Sequence, residues 1–312
     1  MTFNELLIEI ILIIFHIHIY VHIRGKKPLL LTCRRWYKIA SEDPTLWGTI
    51  AFRGWVRGLC YSDVGSTFDD LARDILRTGG TTFTSLFRFP SPAPENADIQ
   101  RFATRVDRDW LSRCRSLTLR DFDEPPQYSM ESSMNDVLRP LSGHFAALEH
   151  FSVQEAGTEY QISALETLIQ RIAASAVNLQ SLKLTRGRGP GAIAVQIFQH
   201  AGMLSRVRVM LLEHVNMPVP WREFTHLEHL DFVCFDGSQS NLSELSGPHL
   251  TSLCLDVSSS DTINLPTHAL FEQLTHLVLR NYAPIVVFRI GFSPSLPRLT
   301  HFIWGCKQRS MT

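Results

Sequence analysis

A pattern of three apolar positions recurs along the second part of the chain. Each copy has an apolar residue at its first, fourth and sixth positions, as in Leu179-x-x-Leu182-x-Leu184. The other copies begin at Cys114, Leu148, Val207, Leu227, Leu250, Leu274 and Leu299. Because side chains two apart in a strand point to the same face, each copy predicts a short strand with one apolar side. One such strand cannot bury that side alone, so we expect the copies to stack into a parallel sheet.

The segments that connect these strands differ along the chain. Residues 163–174 and 192–203 have apolar residues at helical spacing and predict two amphipathic helices. After residue 230 the connections are too short for long helices, and we expect 3₁₀ turns or loops there. The pattern therefore predicts a curved parallel sheet with helices on its convex side in the first half only.

Residues 53–110 contain the same alternation of helix and strand. We predict a helix over 68–77 that ends at Gly79-Gly80, a strand over 82–89 and a second helix over 101–114. This region is therefore expected to pack on the sheet as a connecting region and not to act as a flexible linker.

The first 52 residues have a different pattern. Helical spacing of apolar residues predicts a helix from Asn4 to about Phe15, followed by an alternating segment over 17–23 that favours a strand or loop. Pro28 is placed to open a second helix that ends before Asp43, and residues 46–50 predict a third short helix. Three short helices form only a thin core, so the surplus of aliphatic and tryptophan side chains indicates a surface for a partner.

The apolar run over residues 6–23 raises two alternatives. It is long enough for a membrane span, but Glu9 and three histidines would be costly in lipid, so a buried helix is favoured. His16, His18 and His22 would share one face of a strand and suggest a zinc site. No carboxylate or cysteine completes that set nearby, and we predict no metal. The histidines that recur around the later strands are attributed to repetition.

Composition excludes several classes of protein. The 312 residues are 45% hydrophobic and 19% charged, which is typical of a globular chain. Lys plus Arg and Asp plus Glu are 30 each, so nothing in the net charge favours nucleic acid or an acidic membrane as a partner. The six cysteines form no C-x-x-C pair, which argues against a disulfide framework or structural zinc. We therefore expect an intracellular protein, cytoplasmic or nuclear.

A resemblance is carried by residues 3–52. Their second half contains Leu-x-x-Cys-Arg-Arg-Trp, then Ile-Ala, then Asp-Pro-x-Leu-Trp, from Leu30 to Trp47. This resembles an F-box, especially the F-box-like domains of fungal proteins. The first half departs from the family, which usually opens with Leu-Pro where Phe3-Asn4 stands here. The resemblance implies docking on a Skp-type adaptor, and through it on a cullin. The docking and internal core contacts would come from Leu6, Leu7, Ile10, Pro28, Leu30, Cys33, Trp36, Leu46 and Trp47.

The repeated pattern resembles irregular leucine-rich repeats. The copies that begin at Val207, Leu227, Leu250, Leu274 and Leu299 lie 20, 23, 24 and 25 residues apart, within the usual repeat length of about 20–29 residues. The concave face of such a solenoid is the usual recognition surface. Candidate residues for binding a target protein there are His150, Lys183, Arg208, His229, Asp231 and His276.

These observations define the expected architecture and role. We predict an α/β solenoid with an F-box-like three-helix module over 1–52, a connecting region over 53–110 and a leucine-rich-repeat domain with a parallel sheet over 111–312. The resemblance implies a substrate-recognition subunit of a Skp–cullin–F-box-type ubiquitin ligase, without catalytic residues or cofactors. Target proteins, and neither nucleic acid nor membrane, are the expected partners.

Two alternatives remain open from the sequence. The first is a leucine-rich-repeat scaffold whose F-box-like module no longer binds an adaptor, and the missing Leu-Pro motivates it. The second is a dinucleotide-dependent enzyme. Gly187-x-Gly189-x-x-Ala192 follows a predicted strand and precedes a predicted helix, and Glu213 ends the next strand. That order matches a dinucleotide-binding fingerprint, although both strands already belong to the repeats.

Overall fold

The structure, a computed structural model, describes most of the chain. The described residues are 8–21, 31–53, 68–88, 96–107, 109–120, 141, 143–154, 162–185, 192–215, 218–234, 245, 247–257, 263–265, 272–281, 288–290 and 298–306. The strands are β1 Thr49–Arg53, β2 Phe83–Arg88, β3 Cys114–Arg120, β4 His150–Gln154, β5 Ser181–Thr185, β6 Val209–Glu213, β7 His229–Cys234, β8 Ser252–Val257, β9 Ile263–Leu265, β10 His276–Asn281, β11 Phe288–Ile290 and β12 His301–Cys306. The helices are α1 Ile8–Val21, α2 Arg34–Glu42, α3 Phe68–Arg77, α4 Asn96–Arg105, α5 Ile162–Ser175, α6 Ala192–Phe198 and α7 Ala201–Leu204.

Ten of these strands form one parallel sheet whose order follows the chain. Its order is β1-β2-β3-β4-β5-β6-β7-β8-β10-β12, and β9 pairs with β11 in a separate two-stranded sheet. Each predicted repeat strand is present, from β3 to β12. The fold is therefore an α/β arrangement with a ten-stranded parallel sheet, and it is compatible with a solenoid.

The register of the sheet places the apolar repeat positions side by side. Leu182 faces Phe151 on one side and Met210 on the other, and Leu184 lies between Val153 and Leu212. Along β4 to β6 the side chains alternate between buried and more exposed positions. The buried positions form one continuous apolar core with α3 to α7. Burying a leucine side chain contributes about 1.5–3 kcal/mol to the stability of the fold. The aligned apolar rows therefore fix the register of neighbouring strands.

The sheet begins earlier than the repeat pattern. β1 and β2 pair in parallel, and β2 pairs with β3, so the sheet starts at Thr49. Ser85 of β2 occupies the register position of Leu117 and is fully buried. The predicted strand over 82–89 is confirmed by β2.

Several predicted helices are confirmed and others are corrected. α3 has the predicted bounds, and it is followed by Gly79 and Gly80, whose φ angles of 59° and 87° suit glycine. α5 confirms the helix predicted over 163–174. The helix predicted over 192–203 is divided into α6 and α7.

The helix predicted over 101–114 is wrong at both ends. α4 begins at Asn96 and ends at Arg105, and a separate 3₁₀ turn covers Trp110–Arg113. Between them the Asp107 carboxylate accepts a hydrogen bond of 3.1 Å from the Asp109 backbone N–H. This local bond competes with helix continuation, which explains the interruption.

The N-terminal module also differs from its prediction. The strand or loop expected from residue 17 is wrong as far as Val21, because α1 continues through it. Ile11 and Phe15, one helical turn apart, are buried against α2, so packing decides the conformation. The third predicted helix is a single 3₁₀ turn, Pro44–Trp47, and Ile50 belongs to β1.

The length of α1 affects the two alternatives raised for the apolar run over residues 6–23, a zinc site and a membrane span. A helical backbone over residues 16–18 removes the strand face on which the zinc alternative depended. No helix in the part of the chain that the structure describes is both long and apolar enough to cross a bilayer.

Candidate functional site

A small aromatic core holds the N-terminal module together. Trp36, Leu46 and Trp47 are buried with Ile11 and Phe15 of α1. The Phe15 and Trp36 rings meet edge to face, with centroids 4.9 Å apart. Such aromatic pairs add about 0.5–1.5 kcal/mol beyond the area they bury. Three of the residues predicted for adaptor docking therefore serve the interior of the module.

Trp47 completes the hydrogen bonding at the end of α2. The carbonyl of Ala40 would normally accept from the backbone N–H four residues later, but that residue is Pro44, which has no N–H. The indole Nε1–H of Trp47 donates to this buried carbonyl at 2.8 Å. The guanidinium of Arg77, at the end of α3, lies 4.3 Å from the centroid of the Trp47 ring. Trp47 thus links α2, the 3₁₀ turn and α3.

The outer side of α1 presents an apolar stripe to solvent. Ile10, Ile13 and Ile17 are 40%, 58% and 59% exposed. Their spacing of three and four residues places them on one face of the helix, away from buried Ile11 and Phe15. We call these three residues the isoleucine stripe. Leu31 and Tyr37 add further exposed apolar area near α2. A surface of this kind is typical of a protein-docking site.

The remaining predicted docking residues fall into two groups. Leu6, Leu7, Pro28 and Leu30 lie outside the described residues. Cys33 is partly buried, and its Sγ accepts a hydrogen bond from the Trp36 backbone N–H at 3.5 Å, so it caps α2. Ile10 is the one described residue of the predicted set that is exposed as a large apolar side chain. Ile13 and Ile17 were missed. Ile13 lies within the helix predicted from Asn4 to about Phe15, and extending the helical period past Phe15 would have found Ile17.

The sheet has a second candidate surface on its less buried side. Register aligns the first strand positions into one row across neighbouring strands, and the third positions into another. We call this side the open face. Among the residues predicted to bind a target, His150, His229 and His276 lie in the first row, and Lys183 and Asp231 lie in the third-position row.

Arg208 lies at the edge of this surface. It immediately precedes β6, and its Nη1 is 3.5 Å from the Glu228 carboxylate that precedes β7. Arg115, the second residue of β3, makes a comparable contact of 2.7 Å with the Glu149 carboxylate, which precedes β4. These exposed ion pairs contribute little stability, about 0–1 kcal/mol each, but they place both signs of charge along the amino-terminal edge of the sheet.

Two acidic side chains, partly buried Asp231 and buried Asp256, lie near the Cys254 thiol on the open face. Burial raises the pKa of Asp231, an effect that its hydrogen bond with Cys254 and the charge of Arg280 oppose. Burial, followed by the negative charge of Asp231, raises the pKa of the Cys254 thiol to about 11. Asp256, two residues farther along β8, is buried. A thiol with so high a pKa stays protonated at neutral pH and is a poor nucleophile.

The order of the strands in the main sheet differs from that of a dinucleotide-binding fold. Gly187 and Gly189 lie outside the described residues. Glu213 ends β6, and its carboxylate accepts a hydrogen bond of 2.7 Å from the Thr185 hydroxyl. Dinucleotides bind where the strand order of a sheet reverses. The ten strands that the structure places in the main sheet follow the chain without such a reversal.

In the described ranges no three His, Cys, Asp or Glu side chains lie together in a group that could hold a metal ion.

Comparisons of the chain with protein-family models, with curated proteins and with solved structures gave no match.

Proposed function

We propose that this chain is a substrate-recognition subunit of a Skp–cullin–F-box-type ubiquitin ligase. In this proposal the N-terminal module docks on a Skp-type adaptor, and the sheet domain holds a target protein. The isoleucine stripe is the observation that carries the proposal. The stripe is an exposed apolar surface, and it belongs to a module whose sequence resembles an F-box.

The proposed fold is finer than the α/β arrangement described above. We assign the N-terminal module as F-box-like, with α1 and α2 as its two helices and the Pro44–Trp47 turn in place of a third. We assign the sheet domain as irregular leucine-rich repeats. Its support is the sequential parallel order together with the aligned rows of apolar positions.

The proposed mechanism is proximity. A receptor that binds the adaptor at one end and a target at the other raises the effective concentration of target lysines near the ubiquitin-transferring enzyme. The open face offers histidine, lysine and aspartate side chains for polar contacts with the target. The chain itself supplies no reacting group in this scheme, and it would act inside the cell, in the cytoplasm or nucleus.

The energy available from the isoleucine stripe can be estimated. Complete burial of one isoleucine contributes about 1.5–3 kcal/mol. Ile13 and Ile17 are a little more than half exposed, so covering them would contribute about 1 kcal/mol each. Replacing both by glutamine is therefore expected to weaken docking by about 2 kcal/mol, or roughly thirtyfold.

The test is co-purification of the full chain with a Skp-type adaptor, followed by an affinity measurement. Ile13→Gln/Ile17→Gln should retain the native circular dichroism spectrum and bind roughly thirtyfold more weakly than the unmodified chain. Val177→Gln is the matched control, because Val177 is also 59% exposed but follows α5. Unchanged affinity in the double variant, or equal weakening in the control, would contradict docking through the stripe.

A second candidate function is a repeat-based interaction scaffold without a ligase. It is favoured by the single 3₁₀ turn that replaces the third predicted helix. A folded full chain that binds no Skp-type adaptor at micromolar concentrations would leave this scaffold in place of the ligase subunit.

A further inference from the structure

The last strand of the main sheet exposes side chains at positions that are buried in the strand beside it. Phe302 and Trp304 of β12 align with Leu277 and Leu279 of β10, which are both buried. Phe302 and Trp304 are nevertheless 54% and 56% exposed. Ile303 lies between them on the open face and is 53% exposed. β12 therefore presents large apolar side chains to solvent on both of its faces.

β12 is also an edge of the main sheet. It pairs with β10 on one side, and among the strands that the structure describes none pairs with its other side. The His301 backbone N–H donates to the Thr275 carbonyl at 3.0 Å, toward β10. Backbone groups of successive strand residues alternate in direction, so those of Phe302 point to the outer side. An edge of this kind can pair with another strand.

The sequence of β12 lacks the features that usually protect an edge strand. Edge strands commonly carry charged residues or proline, which discourage pairing with another chain. β12 reads His-Phe-Ile-Trp-Gly-Cys and contains no Lys, Arg, Asp, Glu or Pro. An identical strand can therefore lie beside it without placing two carboxylates or two basic side chains opposite each other.

We propose that the outer edge of β12 binds β12 of a second copy of this chain. A two-fold axis perpendicular to the sheet at Ile303 would pair the two strands antiparallel. Phe302 of each copy would then lie opposite Trp304 of the other, and the two Ile303 side chains would face each other on the axis. Residues directly opposite in an antiparallel pair share one face of the sheet. The aromatic rings would therefore continue the apolar core from one copy into the next.

A second copy fits this edge better than a single bound peptide strand. A peptide would cover β12 and leave its own outer side unpaired, whereas two copies cover both edges at once. The strand order places β12 at one end of the main sheet and β1, which follows the N-terminal module, at the other. The proposed interface therefore does not involve the isoleucine stripe, and it does not depend on the proposed ligase function.

The exposed area predicts a weak association. Complete burial of an aromatic side chain covers about 150–250 Å², so the half-exposed rings of Phe302 and Trp304 offer about 100 Å² each. In a dimer these rings would contribute about 400 Å², and the main chain and Ile303 would add to it. Stable interfaces bury about 1,200–2,000 Å² in total. We therefore expect a reversible dimer with a dissociation constant on the order of 10–100 μM.

The test is sedimentation velocity of the full chain between about 5 and 200 μM, over which the unmodified chain should shift from monomer toward dimer. Ile303→Lys and Ile303→Glu each place like charges opposite each other on the axis, so each should weaken association by at least about tenfold. Val209→Lys is the matched control and should associate like the unmodified chain. Val209 is 39% exposed on the open face, but its strand β6 lies in the interior of the sheet.

A mixture of the two Ile303 variants tests the register of the interface. Ile303→Lys and Ile303→Glu in equal amounts should associate at least about tenfold more tightly than either variant alone, because opposite charges would face each other. Circular dichroism checks that all three variants fold. The proposal is overturned if the unmodified chain stays monomeric at about 200 μM, if the Ile303 variants associate as tightly as the unmodified chain, if Val209→Lys weakens association equally, or if the mixture associates no better than its components.

Discussion

The indole N–H of Trp47 offers a sharp test of how the N-terminal module is held together. Trp47→Phe keeps an aromatic ring in the core but removes the donor to the Ala40 carbonyl. Pro44 cannot replace that donor. The substitution therefore leaves a buried acceptor without its partner at the end of α2.

The magnitude follows from the burial of both groups. Trp47 and Ala40 are each 2% exposed, and a buried acceptor left unsatisfied destabilises by about 1–3 kcal/mol. Loss of the Arg77 guanidinium contact over the indole would add at most about 1 kcal/mol. For local opening, 1–3 kcal/mol corresponds to roughly 5- to 150-fold faster amide exchange in α2.

The assay is hydrogen exchange of the full chain, with Trp221→Phe as the control. Trp221 is also 2% exposed, and its neighbours include the rings of Phe224 and Phe232. Trp221→Phe removes the same ring area from the core of the sheet domain and not from the N-terminal module, so amide exchange in α2 should not change. Equal exchange rates in α2 of Trp47→Phe and the unmodified chain would refute the capping role of the indole.

Two further predictions concern the sheet. Leu182→Ala should reduce the free energy of unfolding by about 3–5 kcal/mol in chemical denaturation, because Leu182 is fully buried. Lys183 is exposed on the opposite face of β5, so Lys183→Ala should change the free energy of unfolding by about 0.5 kcal/mol or less. Similar losses for both variants would refute the assignment of Leu182 to the buried face and Lys183 to the open face. Burial raises the pKa of the Cys114 thiol from 9.0 to about 12, so the folded chain retains a proton that the unfolded chain loses, and stability should fall as pH rises from 9 to 12. Cys114→Ala should show a smaller fall over that range, and an identical pH profile would contradict a buried, protonated thiol.

The repeat strands could be predicted because their spacing encodes their geometry. Apolar residues at positions four and six of the repeat specify a strand with one buried face. Leu182 and Leu184 occupy these positions in β5, and both are buried. The start of the sheet could not be predicted in this way. β1 lacks the repeated pattern, and its place depends on pairing with β2, more than thirty residues later.

The extent of α1 was obscured by its own composition. Residues 17–21 alternate between apolar and polar types, which favours a strand when the segment is considered alone. The contacts of Ile11 and Phe15 with α2 and the following turn stabilise a helix instead. A local pattern therefore gave the wrong element where packing against a distant segment decided the outcome.

In the candidate functional sites, too, some features could be predicted from the local sequence, and others depend on how distant segments pack. Phe302 and Trp304 occupy the fourth and sixth positions of the copy that begins at Leu299, where the repeat pattern predicts burial. They are exposed because β12 is the last strand of the main sheet. The adaptor-binding set could not be divided into exposed and buried members, because burial of Trp36, Leu46 and Trp47 follows from how the module packs.

The most direct test of the proposed ligase role is hydrogen exchange of the full chain with and without a saturating Skp-type adaptor. The proposal expects slower exchange in α1 and in residues 31–42, where the exposed apolar side chains lie, with no change in β4 to β8. Unchanged exchange in α1 at saturation, or protection confined to the strands of the sheet, would contradict it.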